Sequence, residues 1–149
     1  DLHLSIRRQR QMCIRDSRYL ESLYPEPNLF GENAIEIASI EMWQARIYNE
    51  LMIPLAMAFR HLHPGMSEME IQNKDYGETQ KIIGIKSLKY FDAALAEGEF
   101  VAGDRFTFAD IQMITTTDFF ISLNRLTLED YPEIKRHSKL MSERSSFSA

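Results

Sequence analysis

Phe100-Val-Ala-Gly-Asp-Arg-Phe-Thr-Phe-Ala-Asp-Ile111 is the stretch that decides how this chain is read. Thr107 and Asp110 stand three residues apart, directly before an apolar run. At that spacing an N-cap hydroxyl and an N3 carboxylate each satisfy the other's backbone N–H, which forms a capping box. Phe106 and Ile111 occupy the flanking positions, where two apolar side chains staple the entering chain to the first turn. The helix opened here is predicted from Thr107 to about Leu123, through Phe108, Ile111, Ile114, Phe119 and Leu123. Asp110 invites reading as an acid or base, but at N3 of a capped helix its role is structural.

Working outward, the same grammar recurs. Asn33 and Glu36 form a second box. It opens a helix in which Ala38, Met42, Ala45, Met52, Ala56 and Phe59 recur at helical spacing, with polar Asn49 in the series. This predicts one buried stripe. Pro54 inside the pattern is expected to bend the helix, because it removes a hydrogen bond and crowds the carbonyl four residues earlier. His63-Pro64-Gly65 should end it. Ser67 and Glu70 make a third box, with Met66 and Ile71 as its staple. The following stripe, Ile71, Ile82, Ile85, Leu88, Phe91 and Leu95, runs toward Gly98 as a C′ glycine. Gly77 and Gly84 cost this helix ~1 kcal/mol each relative to Ala, a cost with a reason if another helix approaches closely there. The last helix opens at Tyr131-Pro132, where proline is tolerated in the first turn, and runs to about Arg144. No segment alternates with period two over the length of a strand. The fold class is therefore all-α, a helical bundle with one long bent hairpin.

Composition sets the outer limits. The chain has 149 residues, 44% hydrophobic and 26% charged, which suits one globular domain. No run approaches the ~18 apolar residues of a membrane span. The formal net charge of −5 argues against nucleic acid as a partner, since phosphate binding wants surplus Lys and Arg. A single cysteine excludes a disulfide framework and fits a reducing, cytoplasmic compartment. Residues 1–17 differ from the rest. Arg7, Arg8, Arg10 and Arg15, with Arg18 just beyond, face only Asp1 and Asp16, and the chain opens on Asp1 rather than Met. They are read as an atypical Arg-rich leader, disordered or misjoined, in preference to a basic arm for an anionic partner. Cys13 within it is an incidental thiol. Pro25-Glu-Pro-Asn-Leu-Phe-Gly31 stops the helix that ends at Tyr24 and reads as a linker.

Val-Ala-Gly-Asp before the Thr107 box and the apolar helix after it closely resemble the capping box and staple of the C-terminal helical domain of cytosolic, bacterial-type glutathione transferases. The resemblance extends along the chain. Arg18-Tyr-Leu-Glu, Leu-Tyr-Pro and Asn-Leu-Phe-Gly31 look like the end of that family's thioredoxin-like domain and its linker, giving 18–31. Residues 32–149 look like the C-terminal helical domain. Glu41-Met-Trp-Gln-Ala-Arg46 resembles its first long helix, and Tyr131-Pro-Glu-Ile with Arg144-Ser-Ser-Phe147 its closing helix. Ser145 stands where a proline often follows that arginine.

The resemblance implies a homodimeric detoxification enzyme in which glutathione, a co-substrate rather than a cofactor, attacks an electrophile as its thiolate. In the family the thioredoxin-like domain holds glutathione and supplies the thiol-activating Ser, Tyr or Cys. The Glu-Ser pair expected shortly before Arg-Tyr-Leu is replaced by Met12 and Cys13. No residue of this chain is assigned a catalytic role, and the chain alone is expected to be inactive. Its contribution is the electrophile pocket, since apolar pockets form between the helices of bundles.

Trp43, Arg46, Ile47 and Glu50 share one face at three- and four-residue spacing and are the candidate wall. Trp43 would stack on an aromatic substrate and Arg46 would balance a carboxylate. The plainer reading puts Trp43 under a neighbouring domain and pairs Arg46 with Glu50 at i,i+4. Asp118 either bonds across helices or faces solvent. His61 and His63, two apart on a helix, point to different faces, so no metal site is assigned. His137 is placed on the polar face of the last helix, in solvent. The alternative function is a non-catalytic protein-interaction module, the role this kind of helical domain plays when fused to translation and synthetase-complex proteins.

Overall fold

The long helix that begins at Ala34 does not pass through Pro54 unchanged. In the computed structural model, which describes residues 14–124 and 126–147, it is α-helical over Ala34–Arg46 (α2) and widens to a π-helix over Ile47–Met52. It resumes as Ile53–Leu62 (α3), with Pro54 in the first turn. Pro54 has no N–H to offer the carbonyl of Glu50, and its ring would press on that carbonyl. The wider turn meets both demands, with the Ile53 N–H reaching back five residues to the Tyr48 carbonyl. The remaining elements are α1 (Ile14–Leu23), α4 (Lys74–Leu95), α5 (Phe108–Leu123) and α6 (Pro132–Ser142), with 3₁₀ turns at Pro64–Met66 and Ser145–Phe147. The described residues contain no strand, only one isolated bridge between Phe100 and Gly103. The all-α reading holds. No helix among them is long and apolar enough to cross a membrane. Most of the Arg-rich leader, Met12 and Cys13 lie outside the described residues, while 14–17 belong to α1.

The core side of the α2–α3 rod is not the stripe read from sequence. Ile40, Ile47, Leu51, Leu55 and Ala58 are completely buried, whereas Ala38, Met42, Ala45 and Asn49 are exposed. Beyond the π-turn, Met52, Ala56 and Phe59 are half-buried. Both stripes are apolar at helical spacing, and one residue separates them after the turn. Periodicity locates two candidate faces, and contact with α4 and α5 selects the one that turns inward.

A second correction concerns the start of α4. Ser67 and Glu70 do not cap it, and Ile71, 97% exposed, staples nothing. The helix begins at Lys74, where the Asn73 side chain accepts the Tyr76 N–H at 3.0 Å. The residues between are spent on the carbonyl end of α3. Gln72 donates to the carbonyls of Arg60 (3.0 Å) and His63 (2.8 Å), and Glu70 pairs with Arg60. Further along, Leu88, Phe91 and Leu95 are buried as expected, Ile85 is half-buried and Ile82 is exposed. The helix closes at Leu95, short of Gly98, and the left-handed glycine near this end is Gly103 (φ +144°).

α5 and α6 lie where the sequence puts them, and α6 is capped from a distance. One oxygen of Asp92 on α4 accepts the N–H groups of Glu133 and Ile134, both at 2.9 Å. Arg136 returns the favour, donating to the carbonyls of Leu95 and Gly98, both at 2.9 Å. Leu88, Phe91 and Leu95 of α4 join Ala109, Met113 and Ile121 of α5 and Ile134 of α6 in one core with the rod.

The glycines of α4 are where the rod comes close. A Cβ at Gly77 would stand 2.8 Å from Leu62, and one at Gly84 2.6 Å from the buried Leu55 side chain. Gly84→Val should therefore destabilise the bundle by about 1–3 kcal/mol through overpacking. Urea denaturation followed by circular dichroism checks this, and an unchanged midpoint would show that Leu55 can give way.

Candidate functional site

Asp110 gathers three segments of chain. Thr107, extended at φ −136° and ψ 178°, is the N-cap of α5. Its backbone N–H donates to Asp110 Oδ2 at 2.8 Å and its hydroxyl to the same oxygen at 3.1 Å, and the reciprocal half of the box is also formed. Oδ1 accepts the Val101 N–H at 2.8 Å and faces His137 Nε2 at 3.0 Å. The carboxylate is the acceptor in all its other contacts, so the ring nitrogen is the donor here. Asp110 and Thr107 are buried, and His137 is 1% exposed. His137 is thus not in solvent. It falls in register with Ile134 and Met141 on the buried side of α6, and the sequence reading weighed its polarity above that register. Phe106 and Ile111 are half-buried. Phe106 meets the edge of Phe100 at 6.3 Å and carries the Arg144 guanidinium 3.7 Å above its ring.

The candidate pocket wall is built elsewhere, where α2 passes α4. Trp43 lies half-buried against Tyr90 and Phe91, with ring centroids 6.2 and 6.1 Å away. The Arg46 guanidinium is 4.1 Å from the Tyr90 centroid and 5.6 Å from that of Trp43, and it donates to the Tyr90 hydroxyl. Arg46 also forms a two-pronged pair with Glu50, Nε to Oε1 at 3.2 Å and Nη2 to Oε2 at 3.4 Å. Three of the four residues expected on this wall are together. Ile47 departs from them, because it is completely buried in the core beneath the π-turn. Tyr90 completes the cluster and was missed from sequence. Its one available signal is its place beside Phe91, an aromatic just off the buried stripe.

Among the described residues, two of the open clefts lie on the flanks of the bundle. One, of about 360 Å³, lies between Phe59, Leu62, His63, Lys81 and Leu123. The other, of about 570 Å³, separates the start of α2 at Asn33, Glu36 and Ser39 from the loop at Asp104 and Arg105. Neither includes Trp43 or Arg46. His61 and His63 serve local turns, accepting the N–H groups of Asn73 and Gly65, both at 3.1 Å. Among the described residues no group of three or more His, Cys, Asp or Glu could hold a metal ion. Asp118 lies exposed on α5. Partial desolvation pushes its carboxyl above the ordinary aspartate range, and the Ser138 hydroxyl opposes the shift.

Residues 53–145 match the family model described as glutathione S-transferase, C-terminal domain. The chain is similar to glutathione S-transferase 2 of Saccharomyces cerevisiae, 32% identical over 136 residues that cover 90% of this chain. It spans 58% of the length of that relative. The crystal structure of Gtt2 from Saccharomyces cerevisiae superimposes with a TM-score of 0.80 at 32% identity, covering 88% of this chain and 64% of that one. A glutathione S-transferase of class Gtt2 from Vibrio parahaemolyticus gives 0.77 at 28% identity, covering 89% and 62%.

Removing the Asp110 carboxylate strands three donors in the interior, besides His137. Asp110→Ala is expected to cost at least about 3 kcal/mol, since each buried donor left unpaired costs about 1–3 kcal/mol. His137→Ala, which leaves the box itself intact, should cost less. Equal losses for the two variants in urea denaturation would show that the cap contributes nothing beyond the histidine contact.

Proposed function

Since this chain belongs to the glutathione S-transferase family and carries its C-terminal domain, we propose that it forms the electrophile-binding and subunit-contact half of an enzyme that conjugates glutathione. The match across 53–145 carries this reading. The reaction is attack of the glutathione thiolate on an electrophilic carbon, with addition or departure of a leaving group. Glutathione is a co-substrate, and thiol activation is assigned to a thioredoxin-like domain rather than to any of these 149 residues. Residues 18–31 then act as the end of that domain and the linker, and 32–149 as the helical domain. The cytoplasm is the proposed location, in keeping with the single cysteine.

Trp43, Arg46 and Glu50, joined by Tyr90, are the proposed wall, and Ile47 supports it from below. What favours them is the aromatic face that Trp43 of α2 and Tyr90 of α4 leave partly open to solvent. The 149-residue chain should conjugate a chlorodinitrobenzene no faster than buffer does, and the complete gene product should do so readily and be retained on glutathione resin. In that complete protein Trp43→Ala should raise the KM for an aromatic electrophile several-fold and leave the KM for glutathione alone. Conjugation by the isolated chain would overturn the assignment of thiol activation elsewhere. A complete protein that neither conjugates nor is retained would make the chain an interaction module.

The homodimer is proposed on the stripe that the core does not use. Ala38, Met42 and Ala45 are exposed on α2, and Ile35 at its start is 84% exposed. A contiguous apolar face of this kind is a typical site of association. Light scattering across a concentration series should show self-association of the chain, weakened by Met42→Lys. A monomer at every concentration would remove this reading.

A further inference from the structure

We propose that the segment 28–31 is a fixed strap rather than a hinge, and that Arg105 is the positioning residue that fastens it, and α1 with it, to the bundle. Nothing in this depends on which reaction the protein carries out. Connections between elements ordinarily leave much of their backbone to solvent and move accordingly. Here Pro25, Glu26 and Pro27 are exposed, but Asn28, Leu29 and Gly31 are half-buried and Phe30 is buried. Two guanidinium nitrogens of Arg105 donate to Asn28, one to its carbonyl and one to Oδ1 at 3.0 Å, and the third nitrogen pairs with Glu36 on α2. The remaining oxygen of Glu36 accepts the Glu32 N–H at 2.8 Å, and Asn28 Oδ1 also accepts the Gly31 N–H at 2.7 Å.

The strap is held equally from its other side. Glu21 of α1 accepts the N–H groups of Leu29 (2.9 Å) and Phe30 (3.3 Å) through one oxygen. The Leu29 carbonyl accepts the N–H of Phe108, the first residue of α5, at 2.9 Å. Phe30 is 4% exposed and stacks on Phe108 with centroids 4.8 Å apart, while the Arg18 guanidinium lies 4.5 Å from its ring and pairs with Glu41. Gly31 completes the path at φ +107°, where a Cβ would meet the Ile37 backbone nitrogen at 2.7 Å. Every backbone N–H from Leu29 to Glu32 has a partner, drawn from α1, α2 or the strap itself.

Arg105 is suited to this work where lysine is not. Its planar fork offers donors in fixed directions to two acceptors on Asn28 and one on Glu36, whereas an ammonium is a single point of charge. The guanidinium beside Glu36, with the Glu32 N–H, holds that carboxyl below the usual glutamate range, and the Arg105 guanidinium is itself shifted upward by Glu36. The consequence is geometric. The orientation of α1 on the bundle is set through Arg105, Glu36 and Glu21, by ion pairs and hydrogen bonds rather than by a flexible tether.

Amide hydrogen exchange on the 149-residue chain, resolved by NMR, tests the strap. In the wild type the amides of Leu29, Phe30, Gly31 and Glu32 should exchange at least about tenfold more slowly than those of the exposed loop 67–71. Arg105→Met, and equally Arg105→Lys, should abolish most of that difference while the amides of Leu88 and Phe91 keep their protection. Glu36→Gln, which preserves shape, should give a partial loss. Were a variant to lose protection at Leu88 and Phe91 as well, the wild-type comparison with 67–71 and the Glu36→Gln result would still decide the matter. Wild-type strap amides as fast as that loop, or unchanged protection in Arg105→Met, would overturn the proposal.

Discussion

One carboxylate organises this bundle. Asp110 is buried within α5, a position that ionisable groups occupy only when fully partnered, and it accepts from Val101, from Thr107 twice and from His137. The Thr107 contacts start the helix and supply about 1 kcal/mol of capping. The Val101 contact fixes the loop that enters it, and the His137 contact draws α6 onto the same point. The penalty for burying such a group is large, and it is offset only while all the donors are in place. The arrangement of loop, α5 and α6 is therefore determined jointly, because a shift in one leaves unsatisfied atoms in the others.

Pro54 imposes the second constraint, and the rod answers it with a π-turn over Ile47–Met52. The turn admits an extra residue, and Ile47 and Leu51 within it are completely buried. Because α3 continues past the turn with Leu55 and Ala58 inward, Leu55 is delivered against Gly84, where the absence of a side chain lets the two helices close up. The glycines that weaken α4 as a helix are thus placed where packing needs them. Their local cost and their tertiary use are the same fact seen at two levels.

These particulars also explain how much could be read beforehand. The Thr107 box, the extent of α5 and the proline start of α6 depend on residues a few positions apart, and all were legible. So was the pairing of Arg46 with Glu50, which a helix enforces at i,i+4. The inward face of α2 was not, because two apolar stripes compete and only the neighbouring helices choose between them. The start of α4 was misread because Glu70 and Gln72 are used by α3, a demand invisible from their own neighbourhood. His137 and Tyr90 follow the same rule. Each owes its place to a partner 27 or 44 residues away, Asp110 in one case and Arg46 in the other.

The charge balance of the proposed wall bears on what it would accept. Glu50 neutralises Arg46 through two contacts, and the guanidinium is further held over Tyr90. A ligand carboxylate would have to displace Glu50 or share its cation, for a gain of only about 1–4 kcal/mol at surface dielectric before desolvation is deducted. A flat, uncharged ring faces no such competition, since Trp43 and Tyr90 present aromatic surface whose attraction needs no counter-ion. Arg46 is then proposed to set the positions of Tyr90 and Glu50 rather than to bind an anion directly. The proposed wall would select through its aromatic pair, with Trp43 packed against Phe91 of the core.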